Sequence, residues 1–290
     1  MRQIPDSELI LNADGSVYHL HLRPENIAGD IILVGDQDRV KEFSKHFDHV
    51  EFKTQNREFV THTGTYKGKR ITVLSTGIGT DNIDIVVNEL DALVNIDLKT
   101  RTIKVQHTSL NFVRVGTSCA LQADIPVDTP VAAQMCCGFD GLLNFYANRN
   151  KVSNLEAEKK FIDFVDWNPI LAKPYFIYGS ETLLNRVASD MRQGITISAP
   201  GFYGPQGRVL RLPIVDGKIN DKLPDFEFEK MKITNYEMEC SAIYGLSALL
   251  GHQGLTICNI IANRQRKEYS HNYKNSMENL IKIILDRLAK

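Results

Sequence analysis

Three arginines, Arg39, Arg57 and Arg114, fall at or beside the ends of short runs that read as strands. Ligands of open α/β sheets gather outside the carboxyl ends of strands, and a guanidinium fork matches phosphate oxygens two at a time. Together the three would form an anion pocket; each alone would be a solvated surface arginine. Gln206 and Arg208 sit in the run Phe202-Tyr203-Gly204-Pro205-Gln206-Gly207-Arg208. In an extended segment, side chains two apart face the same way. The amide and the guanidinium would then offer both donors and an acceptor to the edge of a planar base; an exposed turn is the alternative. Asn235-Tyr236-Glu237-Met238-Glu239 precedes the apolar stretch from Cys240 to Leu250. On an extended approach to a helix, Glu237 and Glu239 would share a face and accept from a diol. In the first turn of a helix they would instead only complement the macrodipole.

Ser75-Thr76-Gly77-Ile78-Gly79-Thr80-Asp81-Asn82 is a glycine-spaced turn between a strand and a helix. That is the setting of a phosphate-binding loop, but equally of a structural turn. The third glycine of a dinucleotide fingerprint is replaced by Asn82, and no Walker A spacing occurs. His19 and His21 alternate as on a strand, with no third ligand nearby, so no metal site is expected. The cysteines, Cys119, Cys136, Cys137, Cys240 and Cys258, are odd in number and lack CxxC spacing. Reduced, buried thiols in a cytoplasmic protein are the simplest reading.

The elements that must carry these residues alternate between short apolar runs and amphipathic stretches, the pattern of an α/β protein. Strands are expected at 31–34, 59–66, 70–75, 110–115, 194–198 and 255–262, with Lys67-Gly68-Lys69 as a tight hairpin turn. Helices are expected at 38–47, 84–94, 181–192 and 277–288, the last two with Ser180 and Ser276 as N-caps. Residues 95–106 are polar and basic and read as a surface extension. A composition of 43% hydrophobic and 24% charged residues excludes a disordered, collagen-like or coiled-coil chain. With 34 Lys+Arg against 35 Asp+Glu, there is no general electrostatic attraction to nucleic acid or an anionic membrane. No stretch approaches the roughly 18 apolar residues of a membrane span, and the N-terminus lacks a signal-like apolar region, so neither secretion nor a membrane span is expected. No linker or repeat divides the chain, and residues 1–290 are expected to be one domain.

In their order, these pieces resemble the uridine phosphorylase branch of the nucleoside phosphorylase family, from about Tyr18 to the C-terminal helix. The resemblance is carried by Val34-Gly35-Asp36-Gln37-Asp38-Arg39-Val40, Asn56-Arg57-Glu58-Phe59, Ser75-Thr76-Gly77-Ile78-Gly79 and Val113-Arg114-Val115-Gly116-Thr117. It continues through Phe202 to Arg208, Asn235 to Glu239, and Ala262-Asn263-Arg264. It implies an α/β nucleoside phosphorylase-type domain, a central mixed sheet closing into a distorted barrel flanked by helices. The implied activity is phosphorolysis of uridine, with deoxyuridine or thymidine as further substrates, by a pentosyl-transferring enzyme of pyrimidine salvage.

By the same resemblance Gly35, Arg39, Arg114 and Thr117 bind phosphate, and Arg57 reaches in from a neighbouring subunit. Glu237, Met238 and Glu239 line the ribose, and His19 of the other copy closes over the 5′-hydroxyl. Ser118, Phe202, Gln206, Arg208 and Arg264 surround the base. Catalysis falls to Arg114, Gln206 and Arg208 through positioning and charge stabilisation, with orthophosphate as co-substrate and no cofactor or metal. The smallest implied assembly is a homodimer with shared active sites, and hexamers also occur in the family. Purine phosphorylases resembling this fold have an aspartate near Asn263-Arg264, so Arg264 turns the reading toward pyrimidines. Some bacterial relatives hold a monovalent cation near Glu58; here Glu58 and Ile78 remain but Asn82 replaces a usual serine, which leaves the ion open. Val34 and Gln37 replace common prolines, Cys119 and Thr80 replace common glycines, and Ala262 is smaller than usual. Another nucleoside phosphorylase, a water-using nucleosidase, and a catalytically silent nucleoside-binding protein are the alternatives.

Overall fold

A computed structural model describes residues 2–290. The first unit is β1 (Asp30–Val34), α1 (Gln37–Ser44), β2 (His49–Asn56), β3 (Phe59–Tyr66) and β4 (Lys69–Ser75), followed by α2 (Thr80–Asn95). All five residues of β1 are buried, as expected of a strand with parallel neighbours and a covered face on each side. β2 alternates exposed and half-buried residues because it is the edge strand. Lys67 and Gly68, both at positive φ (50° and 77°), form the two-residue turn between β3 and β4, with Tyr66 paired to Lys69. The extension after α2 folds as a small hairpin, β5 (Ile96–Asp97) with β6 (Thr102–Ile103).

The second unit comprises β7 (Asn111–Ala120), β8 (Pro130–Gly138), α3 (Leu155–Val165), β9 (Tyr175–Tyr178), α4 (Glu181–Val187) and β10 (Arg192–Ser198). After it come α5 (Ile219–Lys222), β11 (Glu227–Phe228), β12 (Met231–Glu237), α6 (Cys240–Leu250), β13 (Gln253–Asn263), β14 (Glu268–Tyr269) and α7 (Tyr273–Leu288). The sheet order is β11-β12-β10-β8-β13-β7-β1-β4-β3-β2, and β12 also pairs with β7 through Tyr236–Cys119 and Asn235–Ala120. That last pairing closes β7, β13, β8, β10 and β12 into a five-stranded barrel, from which β1, β4, β3 and β2 extend as an open wing. A bulge between Ile260 and Ala262 shifts the register of β13 against β7, the kind of irregularity that lets strands turn a barrel corner.

Apolar helix faces cover the sheet. Ile83, Val86 and Leu90 of α2 pack with Ile243 and Tyr244 of α6, whereas Phe43, Leu183 and Ile281 bring α1, α4 and α7 together in a second cluster. A third cluster is aromatic, with Phe161 of α3 against Phe176 and Phe226. All five cysteines are free and buried. No helix among the described residues is long and apolar enough to cross a membrane.

Several element boundaries differ from the sequence expectation. β7 does not end at residue 115 but continues through Gly116, Thr117 and Ser118, because pairing with β13 on one side and β12 on the other supports its last turnless residues. The helix expected at 181–192 stops at Val187, since residues 192–198 are drawn into parallel pairing with β8. Ser180 does cap it, accepting from the Leu183 amide at 3.1 Å. Ser276, in contrast, is inside α7, which starts at Tyr273 after Asn272; its hydroxyl instead donates to Asp128 at 2.8 Å. His19 and His21 lie in a turn and not on a strand, with His21 at φ 51°.

Candidate functional site

Arg114 is the centre of the site. It projects from β7 into the protein, almost fully buried, and its guanidinium pairs with Glu239 and lies 3.5 Å from a Glu237 oxygen. Arg114 and Gly116 are on one face of β7, and a Cβ at Gly116 would run into that guanidinium. Glycine is therefore what lets the side chain lie across the strand. Two carboxylates raise the Arg114 pKa against the opposing cost of burial, so the guanidinium stays charged.

The carboxylates come from the junction of β12 with α6. Glu237 is the last residue of β12 and accepts from Ser198 Oγ at 2.5 Å and from the amides of Glu239 (2.8 Å) and Cys240 (2.9 Å). It thus satisfies orphan donors at the start of α6 while facing Arg114. Burial, with the neighbouring charge of Glu239, pushes the Glu237 carboxyl up to about 7 against the downward pull of Arg114 and Ser198. Glu239, the N-cap residue of α6, accepts from the Gly79 amide at 2.8 Å. Gly79 has φ 102° and opens α2, so the glycine-spaced turn is the structure that brings a backbone donor to Glu239. The expectation that Glu237 and Glu239 share a face is met, and the helix-start reading holds at the same time. Met238, half-buried, lies between them.

Arg39 in the first turns of α1 lies close enough to Arg114 that the two charges, together with burial as the larger cause, lower the Arg39 pKa. Nε of Arg39 and Nε of Arg114 are buried donors without a partner among the described residues. Gly35 follows β1 directly, and a Cβ there would touch the Gly77 carbonyl at 3.4 Å, so the two glycine turns are neighbours. Thr117 is half-buried on β7, paired in register with Asn259. Ser118 beside it is buried and accepts from Asn235 Nδ2 at 2.9 Å.

The third arginine, Arg57, is the one expected to reach into the site of a neighbouring copy. Arg57 is exposed at the turn between β2 and β3, with its guanidinium 5.9 Å from the ring of Tyr18. It joins His19, whose ring contacts Tyr18 (centroids 4.8 Å), and whose carbonyl accepts from Asn56 Nδ2 at 2.8 Å. Glu89 clamps His19 through Nδ1 at 2.6 Å and through the backbone amide at 3.0 Å. The tip of this hairpin leans on the start of α1, where Gln37 Nε2 donates to the Arg57 carbonyl at 2.8 Å.

Gln206 and Arg208 do face each other, but the segment is not extended. Gly204–Gln206 is a 3-10 turn and Gly207 is left-handed, because Pro205 and the two glycines tighten the chain. Arg208 Nη1 donates to Gln206 Oε1 and to the Phe202 carbonyl, both at 2.6 Å, and its guanidinium stacks 3.8 Å above the Phe202 ring. Burial and the charge of Arg264 lower the Arg208 pKa. Arg264, just after β13, lies 5.3 Å from the Tyr236 ring and has a buried, unpartnered Nη2. It lines a cavity of about 370 Å³ with Leu121, Asn220 and Pro224.

Sequence reasoning did not single out Ser198 or Asn220, and it gave no role to Asn235 and Tyr236 although they lie in the Asn235–Glu239 motif. Ser198 and Asn235 are ordinary polar residues in apolar strands, and only their alternation could have flagged them.

A family model described as the phosphorylase superfamily matches residues 30–289. The chain belongs to the phosphorylase superfamily. A uridine phosphorylase of Thermococcus kodakarensis is 28% identical over 264 residues, covering 88% of this chain and 80% of the relative. One from Haemophilus influenzae is 26% identical, with 93% and 96% covered. A DeoD-type purine nucleoside phosphorylase of Listeria monocytogenes is 29% identical, with 83% and 85% covered. Among solved structures, a Trypanosoma brucei nucleoside phosphorylase described as showing uridine phosphorylase activity superposes with a TM-score of 0.87 at 26% identity, covering 97% of this chain and 99% of its own. The expected distorted barrel flanked by helices is the fold of this superfamily member.

Proposed function

We propose that this chain catalyses the phosphorolysis of uridine to uracil and ribose 1-phosphate, a pentosyl transfer to orthophosphate in pyrimidine salvage. One observation carries the reading. Glu237, which with Glu239 faces the buried Arg114, directly follows Tyr236 on β12, and the Tyr236 ring lies 5.3 Å from Arg264, whose charge acts on the Arg208–Gln206 pair. The uridine phosphorylases of Thermococcus and Haemophilus and the Trypanosoma enzyme support the same substrate. Arg264, a cation beside the base group, favours a base that leaves with negative charge on its ring and carbonyl oxygens over a purine.

In this reading Gly35, Arg39, Arg114 and Thr117 hold hydrogenphosphate, and its oxygen bonds to the anomeric carbon as the bond from that carbon to uracil N1 breaks. The bonding pair leaves with uracil, where Gln206 and Arg208 stabilise it, with Ser118, Phe202 and Arg264 around the ring. The proton that hydrogenphosphate loses balances the one uracil takes up. Glu237, Met238 and Glu239 hold the ribose while phosphate offsets its oxocarbenium character. Catalysis is positioning and electrostatics, with no organic cofactor and no covalent enzyme intermediate.

The chain acts as one domain in a homodimer or a larger assembly. Arg57 is exposed and shares Tyr18 with His19 at the surface, which supports their reaching into the site of a second copy. Five unpaired thiols support a cytoplasmic setting. The deciding assay follows nucleoside absorbance with uridine, thymidine and inosine, with and without phosphate. Uridine loss that requires phosphate is expected. Cleavage of inosine alone, or cleavage independent of phosphate, would overturn the proposal.

A further inference from the structure

The turn that carries Gln206 and Arg208 has a weak hold on the rest of the molecule. Its own backbone bonds are local: Gly207 N donates to the Gly204 carbonyl at 2.8 Å and Arg208 N to the Tyr203 carbonyl at 2.8 Å. The chain leaving it, through Val209, Leu210, Arg211 and Leu212, is exposed. A side chain fourteen residues onward supplies the missing tie. Asn220, on the short helix α5, donates from Nδ2 to the Gln206 carbonyl at 3.1 Å and accepts at Oδ1 from the Tyr236 hydroxyl, also at 3.1 Å.

Tyr236 is buried on β12, directly before Glu237, and pairs with Cys119 of β7 to close the barrel. Its hydroxyl is held as a donor, since burial pushes its pKa up. A phenol that donates to Oδ1 fixes the orientation of the carboxamide, and so leaves Nδ2 to face the turn. The strand that ends in the Glu237 carboxylate is thereby joined, through one amide, to the loop that holds the base donors.

We infer that Asn220 is a positioning residue for base recognition, registering the Gln206–Arg208 turn against β12 through Tyr236. The inference rests on the uridine reading above. Its test compares wild type with Asn220→Ala, Asn220→Asp and Tyr236→Phe, measuring KM and kcat for uridine, KM for phosphate, and the preference for uridine over 3-methyluridine, which lacks the ring N–H. In the Asn220 variants the uridine KM is expected to rise on the order of tenfold, the scale of one buried hydrogen bond. The preference for uridine should shrink by a similar factor, while the phosphate KM moves less than about twofold. Tyr236→Phe keeps the ring and should shift both quantities in the same direction by less.

A residue with only a structural role would lower folded enzyme or Tm without altering the preference or separating the two substrates. An unchanged uridine KM and preference, or an equal loss toward nucleoside and phosphate, would overturn the inference. If the Asn220 variants do not fold, Tyr236→Phe decides alone, and wild-type values for it count against the inference. Failure of the functional reading is separate: it is seen in the wild type as absence of phosphate-dependent uridine cleavage. The comparison then uses the nucleoside that the wild type binds in calorimetry, with loss of affinity in the variants as the expected result.

Discussion

Two arginines of this site differ in what their removal would test. Arg114 is buried between two carboxylates, so truncating it leaves charge unpaired in the interior, at a cost of about 3–5 kcal/mol in stability. A loss of activity in that variant would mix folding with chemistry. Arg208 is half-buried, rests on Phe202 and bonds Gln206, with no carboxylate partner among the described residues. Arg208→Ala is therefore expected to lower kcat by about 10²–10³, the usual loss of a donor aimed at developing charge. Its Tm should stay close to wild type in a thermal melt. A fall in Tm with kcat preserved would remove Arg208 from the reaction. The Arg208 side chain was legible in the sequence through its spacing from Gln206. Its route to Gln206 was not, because a 3-10 turn and an extended strand can both put those two side chains together.

At the scale of elements, the barrel strand β7 shows how a backbone position can matter as much as a side chain. Gly116 leaves room for the guanidinium that Arg114 lays over it, and Glu237 and Glu239 hold that guanidinium in place. Gly116→Ala would force Arg114 off this pose while leaving both charges present. The expected outcome is a rise of about tenfold or more in the phosphate KM with β7 still paired, since alanine fits a strand. Steady-state kinetics together with far-UV circular dichroism would check it, and an unchanged phosphate KM would show that Arg114 does not act through this pose. The same strand explains an error of length. It runs on through Gly-Thr-Ser, a composition that signals a loop, yet β13 pairs with these residues and β12 takes up Cys119 and Ala120 beyond them. Pairing partners 115 or more residues away cannot be seen in a local pattern.

For the whole molecule, the exposure of Arg57 at the hairpin tip, in contrast to the burial of Arg114, makes a prediction about assembly. If each site draws on two copies, Arg57→Ala and Arg208→Ala variants are each nearly inactive, but their mixed assembly contains intact sites. Random exchange in a symmetric dimer gives roughly a quarter of all sites intact. Activity recovered to about that fraction after co-expression of the two variants, with mixed dimers verified by differential tagging, is the expected result. Recovery of none would place Arg57 outside the reaction of a second copy.

The sequence by itself determined the α/β class, the hairpin at Lys67-Gly68, the burial of the thiols and the types of group available for anion, diol and base recognition. Those properties follow from local periodicity, turn chemistry and side-chain valence, which neighbours along the chain suffice to express. The ordered run of motifs also carried the family resemblance, because each motif is short and contiguous. Tertiary structure alone decided that β12 closes on β7 and that Glu237 and Glu239 converge on Arg114 from more than a hundred residues away. Such choices depend on which distant backbone groups pair and on which charges must find partners once water is removed, and no local pattern encodes either.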